Sequence, residues 1–282
     1  MMTAIAITLL VIVAGYWALG AFARAYLRPG KRRTTKTPES LGLDGEAFAL
    51  PTDRGVIRGW FLRAAREPRI TVVLAHGWQS HAGDMLTWAA PVVRSGFHVI
   101  VYDTLGHGES DASEYTSIRH FLEDLRAVIA FVGRFPDTHP GIVIMGHSMG
   151  GAAALLASID TPGVRGVIAA AAPTDPLEIT REWMDARGLP GPLLVTLMRP
   201  FCAPIVKASY PDLQPIRKIA SIEVPVLLIH GDADRQVPVH HAHRLAAANP
   251  RARIEVLEGA DHISLPKHER YGEVISSFLR KL

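Results

Sequence analysis

The chain has 282 residues, 48% of them apolar, which suffices to bury the core of one large α/β domain, and no low-complexity linker or internal repeat divides it. Its single cysteine, Cys202, excludes an intramolecular disulfide and a Cys-rich metal site, and reads as a small packed side chain. Charge is uneven: residues 1–38 carry six Lys/Arg (Arg24, Arg28, Lys31, Arg32, Arg33 and Lys36) and no acid, whereas the remainder carries 24 Lys/Arg against 27 Asp/Glu, a balance that gives no basis for nucleic-acid binding.

Residues 3–23 form an uncharged apolar run of 21. As a helix it spans about 30 Å, the thickness of a bilayer core. Tyr16 and Trp17 suit an interfacial end. Two readings stand: a membrane anchor over residues 1–24, or a cleaved signal peptide with Ala21-Phe22-Ala23 as its site. No Lys or Arg precedes the run, and six follow it. Both features favour the anchor, with the globular part on the cytoplasmic side; the alternative is a secreted or periplasmic protein. Residues 25–45 read as a basic linker that is either a solvated tether or a segment laid against anionic headgroups.

From residue 46 the pattern is β, with a hairpin turning at Asp53-Arg54-Gly55. Apolar runs at 70–75, 96–102, 142–145, 164–170, 224–229 and 254–257 read as strands buried on both faces. Helical patterns at 84–94, 117–134, 150–159, 239–248 and 267–281 alternate with them. The alternation predicts an α/β domain over 46–282, a mostly parallel sheet with helices on both faces. Residues 174–216 break the alternation: they are Pro-rich, hold helical patterns near 178–186 and 193–207, and begin after a strand end, as a short helical cap over the active face would. Trp183, Met184, Leu189, Leu193, Leu194, Leu197, Met198 and Phe201 then divide between packing the cap and lining an acyl pocket.

Gly146-His147-Ser148-Met149-Gly150 ends the run at 142–145 and opens a small-residue helix, matching the G-x-S-x-G nucleophile elbow. The serine needs a sharp turn to stand clear of the backbone, and the two glycines let strand and helix approach around it. A nucleophilic serine also needs a base, an acid to orient the base, and oxyanion donors. His262 follows the last strand by a short loop and is the base. Asp234 lies just past the strand at 224–229 and is the acid, with Asp232 as rival. The backbone N–H groups of Met149 and Trp78 are the oxyanion donors, Trp78 coming from the loop after the first parallel strand. His76 reads as structural.

His76-Gly77-Trp78, residues 103–110 (Asp-Thr-Leu-Gly-His-Gly-Glu-Ser), the elbow, residues 231–238 (Gly-Asp-Ala-Asp-Arg-Gln-Val-Pro) and Asp261-His262 occur in the order Ser, Asp, His. From about residue 46 onward the chain resembles the serine hydrolases of the α/β-hydrolase superfamily, closest to the esterase, lipase and serine-aminopeptidase-like branch with a short helical cap. The resemblance implies that the second Asp of G-x-x-D-x-x-V-P, Asp234, is the acid. It implies cleavage of a small-molecule or lipid carboxylic ester through a Ser148–His262–Asp234 triad and an acyl-enzyme, with no cofactor. Ser148 at the nucleophile position sets the chain apart from the relatives that place Asp there. Three alternatives remain: a serine aminopeptidase or amidase, with Glu178, Glu182 and Asp185 as acids for a substrate amine; a non-catalytic ligand-binding member; and a metal site at His240, His241 and His243, for which no carboxylate is evident at ligand spacing. Oligomeric state leaves no mark in the sequence.

Overall fold

The computed structural model describes residues 1–30, 35–65, 68, 70–135 and 141–282. Lys31, Arg32 and Arg33 of the expected basic linker lie outside them.

Eight strands form one sheet: β1 (Asp44–Thr52), β2 (Gly55–Arg63), β3 (Ile70–Ala75), β4 (His98–Asp103), β5 (Gly141–His147), β6 (Val164–Ala170), β7 (Val226–Gly231) and β8 (Ala252–Leu257), in the order β1-β2-β4-β3-β5-β6-β7-β8. The β1–β2 hairpin is antiparallel to its neighbours, and β3 to β8 run parallel. Side chains alternate strictly between the faces, as a pleat of period two requires. Val73, Ala75, Ile100, Tyr102 and Ile144 enter one core, while Val72, Leu74, Val99, Val101 and Met145 enter the other. Both faces being buried explains why these strands read as unbroken apolar runs.

The first core is covered by α3 (Ile118–Phe131), α4 (Met149–Ala157) and α8 (His240–Ala248), and the second by α2 (Ala82–Arg94) and α9 (Tyr271–Leu279). The last helix is shorter than the expected 267–281. Residues Leu265–Lys267 form a 3-10 turn, and His268 is extended, its Nδ1 accepting the Arg270 N–H at 3.2 Å in place of a helical start.

Between β6 and β7 the chain forms α5 (Pro176–Asp185), α6 (Gly191–Val206) and the short α7 (Pro215–Lys218). Asp175 caps α5 by accepting the Leu177 N–H at 2.8 Å. The N-terminal run forms α1 (Met2–Tyr26), of which Ile5–Tyr26 is long and apolar enough to cross a membrane. Its last turns pack on the cap, where Ala23, Met184, Val195 and Met198 form a third buried cluster joined by Leu19, Tyr26, Leu194, Phe201 and Cys202. The segment after α1 is not a free tether along its described length: Leu27 is buried and its carbonyl accepts the Thr116 N–H at 2.8 Å, and Pro38 is buried under the 3-10 turn Pro38–Leu41.

Candidate active site

The carboxyl ends of β3, β5, β7 and β8 meet at one edge of the sheet. Ser148 sits between β5 and α4 at φ 54°, ψ −118°, a conformation costing on the order of 1–3 kcal/mol for a residue with a Cβ. The turn is held on several sides. Ser148 N–H donates to the Ala170 carbonyl of β6 at 2.8 Å, and the Ser148 carbonyl accepts the Ala152 N–H at 3.0 Å. A Cβ on Gly150 would lie 2.5 Å from the Ala75 carbonyl, and one on Gly146 would collide with the Gly150 carbonyl, so neither position admits a side chain. This is the close approach that the elbow glycines were read to permit.

The 76–78 loop lies against the serine: a Cβ on Gly77 would come within 3.1 Å of Ser148 Cβ. Trp78 is half-buried, its ring between Phe121 (centroids 6.3 Å apart) and Tyr26 of α1 (6.2 Å). His76 is structural, as expected. Its Nδ1–H donates to the Gly77 carbonyl at 2.7 Å, and its Nε2 accepts the Thr104 N–H at 3.0 Å. Burial pulls its pKa down to about 4, so it stays neutral. Asp103 pins the 103–110 motif by accepting the Ala82 N–H at 2.6 Å and the Glu109 N–H at 2.9 Å.

His262 and Asp234 are brought together: Nδ1–H donates to the Asp234 carboxylate at 2.7 Å. The other carboxylate oxygen accepts the N–H groups of Gln236 (2.8 Å) and Val237 (2.9 Å), and His230 Nε2 lies 3.4 Å from the first. Burial pushes the Asp234 pKa up, but the hydrogen bonds from His230 and His262 outweigh it and hold the carboxyl well below the ordinary carboxylate range. The rival Asp232 instead accepts the Gly259 N–H at 2.7 Å, tying the two loops together. Asp261 shapes the turn carrying His262 by accepting the N–H groups of Ile263 (3.0 Å) and Ser264 (2.8 Å). No hydrogen bond joins Ser148 to His262 among the described residues. A cavity of about 410 Å³ lined by Ala233, Arg235, Gln236, Gly259, Asp261, His262 and Ile263 lies beside the buried imidazole.

Three features escaped the sequence. His147 sits between Trp88 and His262 (ring centroids 4.5 and 4.6 Å), and its Nε2–H donates to the His262 carbonyl at 2.9 Å. Burial lowers its pKa to about 3, which keeps it neutral. A G-x-S-x-G motif gives no hint of this, because the partner is 115 residues away. Second, Glu182 of α5 reaches His240 (3.3 Å) and His241 (3.2 Å) of α8, the carboxylate that sequence spacing did not reveal. Their ligand atoms lie within 4.8 Å of one another, and His243 is not of the group. Third, Tyr26 hydrogen-bonds to Thr180 of the cap at 3.0 Å while stacking on Trp78, so α1 reaches the site.

In the cap, Met184 and Met198 are buried against α1, while Trp183, Leu189, Leu193 and Leu197 are 43–56% exposed. Its acids are already engaged: Glu178 with Arg244 (2.6 Å) and Thr174 (2.7 Å), Glu182 with the two histidines, and Asp185 with the Gly191 N–H (2.9 Å).

The family model described as serine aminopeptidase, S33, matches residues 66–215. The protein YfhR of Escherichia coli K12 is 28% identical over 231 residues, covering 77% of this chain and 72% of YfhR. A monoacylglycerol lipase of Mycolicibacterium smegmatis is 26% identical over 231 residues, 70% of this chain and 82% of the lipase. Among solved structures, the Pyrococcus furiosus esterase Pf2001 superimposes with a TM-score of 0.70 at 23% identity, covering 90% of this chain and 98% of the esterase.

Proposed function

The chain belongs to the serine aminopeptidase (S33) family of hydrolases and has the α/β-hydrolase fold, and from there we propose that it is a serine esterase acting on monoacyl lipid or other carboxylic esters. The observation that carries this reading is the 2.7 Å His262–Asp234 pair at the same sheet edge as the positive-φ Ser148, with the Gly77 backbone packed against that serine. A monoacylglycerol lipase and an esterase among the similar proteins support the ester class.

In the proposed reaction Ser148 Oγ attacks the acyl carbonyl carbon while His262 Nε2 takes its proton. Asp234 fixes the tautomer that leaves Nε2 free and stabilises the imidazolium. The N–H groups of Met149 and Trp78 receive the oxyanion. His262 then protonates the leaving alcohol, and water, deprotonated by the same imidazole, releases the acid from the acyl-enzyme. No metal or organic cofactor enters these steps.

The peptidase reading is weaker, because Glu178, Glu182 and Asp185, the carboxylates it relies on, are each already partnered. The anchor reading of α1 is favoured over cleavage: Ala23, the last residue of the candidate cleavage site, is fully buried in the cap cluster, so cleavage would strip that cluster of Leu19 and Ala23. The basic residues after the span favour a cytoplasmic hydrolase domain.

The test is hydrolysis of p-nitrophenyl esters from acetyl to palmitoyl by the full chain and by Ser148→Ala. Activity that falls by at least about a thousandfold in a variant with an unchanged melting curve supports the reading. Ester hydrolysis that survives the substitution overturns it.

A further inference from the structure

The register between α1 and the cap fixes how deep the cap must sit if α1 spans a bilayer. The uncharged run of α1 ends at Ala23, and Arg24 begins the basic segment. Phe201 of α6 packs on Tyr16, ring centroids 4.7 Å apart, and on Gly20, where an added Cβ would lie 2.6 Å from its ring. These contacts are four to eight residues up the helix from Arg24. At 1.5 Å per residue Phe201 is therefore about 6–12 Å on the apolar side of the first charge. The hydrocarbon half-thickness is about 15 Å, so a spanning α1 carries part of α6 into the same leaflet.

The surface of α6 suits that position. Gly191–Val206 holds one charged residue, Arg199, and its outward positions are Pro192, Leu193, Thr196, Leu197, Arg199, Pro200, Ala203 and Pro204. Leu193 and Leu197 are 56% and 46% exposed, and Trp183 of α5 adds 43%. In water this face is a liability, since a monomer seldom leaves so continuous an apolar surface uncovered. Arg187 and Arg199 stand over Trp183 and Tyr210, where long stems let their charges rise to the headgroup level. The other side of α6 packs on α1 through Val195, Met198 and Phe201, and α1 ends at Tyr26, stacked on Trp78 of the loop against Ser148.

We infer that α6 is embedded in the leaflet that receives the end of α1, and that the ester reaches Ser148 from the bilayer along this face. The inference rests on the serine-esterase and membrane-span readings above and adds a substrate route: a monoacyl ester that partitions into membranes, taken up by its tail beside the cap.

The experiment uses the full chain in phosphatidylcholine vesicles, in a Cys202→Ser background. Single cysteines at Leu197, Ala203 and, as control, Asp160 at the opposite end of the sheet carry a bimane label. Flotation with the vesicles after alkaline washing reports the span. Quenching by nitroxide-labelled lipid at 197 and 203, but not at 160, is the expected result. Protein that floats while 197 and 203 remain quenched by aqueous iodide, and not by lipid nitroxide, overturns the inference and leaves the span intact; protein that does not float overturns both. A second readout is Leu193→Asp with Leu197→Asp. Hydrolysis of a long-chain monoacylglycerol in vesicles falls at least about tenfold, while p-nitrophenyl acetate hydrolysis in detergent stays within about twofold. Equal loss on both esters overturns the route. Absence of Ser148-dependent hydrolysis of either ester overturns the esterase reading and, with it, the route, while the quenching result stands by itself.

Discussion

Replacing Asp234 and Asp232 by asparagine separates two aspartates that lie on one loop and make very different contacts. Asp234 accepts the His262 Nδ1–H at 2.7 Å and two backbone N–H groups at 2.8 and 2.9 Å. Asparagine keeps the backbone bonds through its carbonyl oxygen but turns an amide N–H₂ toward Nδ1. The imidazole then holds its proton on Nε2 and has no lone pair for the Ser148 proton. In the triad template that loss is about 10⁴ in kcat, or about 5.5 kcal/mol of transition-state stabilisation. The Asp232 carboxylate accepts the Gly259 N–H, an exposed loop tie worth about 1 kcal/mol of stability. Steady-state hydrolysis of p-nitrophenyl butyrate is the assay, with a melting curve as fold control. Expected are a fall of about 10⁴ in kcat at little-changed KM for Asp234→Asn, and activity within about threefold of the parent for Asp232→Asn. The reasoning is refuted by an Asp234→Asn enzyme that keeps more than about a tenth of the activity, or by equal losses in both variants.

Stability should fall in acid. His76, His107 and His147 are held neutral by burial, with pKa values near 4, 3 and 3, whereas the unfolded chain takes up protons near 6.5. Between those values the unfolded state binds more protons, so lowering the pH from 7 to 5 costs about 2 kcal/mol per histidine. Asp124, pushed up to about 7 chiefly by burial, protonates in the folded chain over the same window and returns about 2 kcal/mol, so these four groups together cost about 4 kcal/mol. Urea titrations of full-length protein at the two pH values measure this, and equal or greater stability at pH 5 contradicts it. His147→Phe retains a ring between Trp88 and His262 but removes the donor to the His262 carbonyl; kcat should fall about tenfold with KM little changed and the acid limb of the pH–rate profile displaced, where a purely structural role would lower stability alone. Gly150→Ala places a Cβ 2.5 Å from the Ala75 carbonyl and should cost at least about 3 kcal/mol in urea titration, or prevent soluble expression.

What the sequence displayed was whatever has a period or a local signature. The parallel strands are buried on both faces, so 70–75 and 164–170 read as apolar runs and coincide with β3 and β6. The elbow was legible because sterics demand glycine at 146 and 150, whatever surrounds them. The acid and base candidates were legible as loop residues after strand ends, and the structure pairs Asp234 rather than Asp232 with His262. The contacts of Glu182 with His240 and His241, and of His147 with the His262 carbonyl, were not legible. They join positions 58 to 115 residues apart, and each partner is an ordinary polar residue until the fold closes.

The cap shows why apolar content alone does not separate packing residues from pocket lining. An amphipathic helix announces its buried face by its period, but α6 carries one charge in 16 residues and offers no polar side from which to infer the other. Dividing its leucines between cap packing and an acyl pocket leaves α1 out as a surface to pack against. The structure supplies α1 as a second surface, and Val195, Met198 and Phe201 turn to it. Leu193 and Leu197 are left facing outward on the side away from that contact. A helix apolar on all sides is stable when every side has an apolar neighbour. Here one side has α1 and another α5, and in the proposed embedding the hydrocarbon of a bilayer is the neighbour of the third.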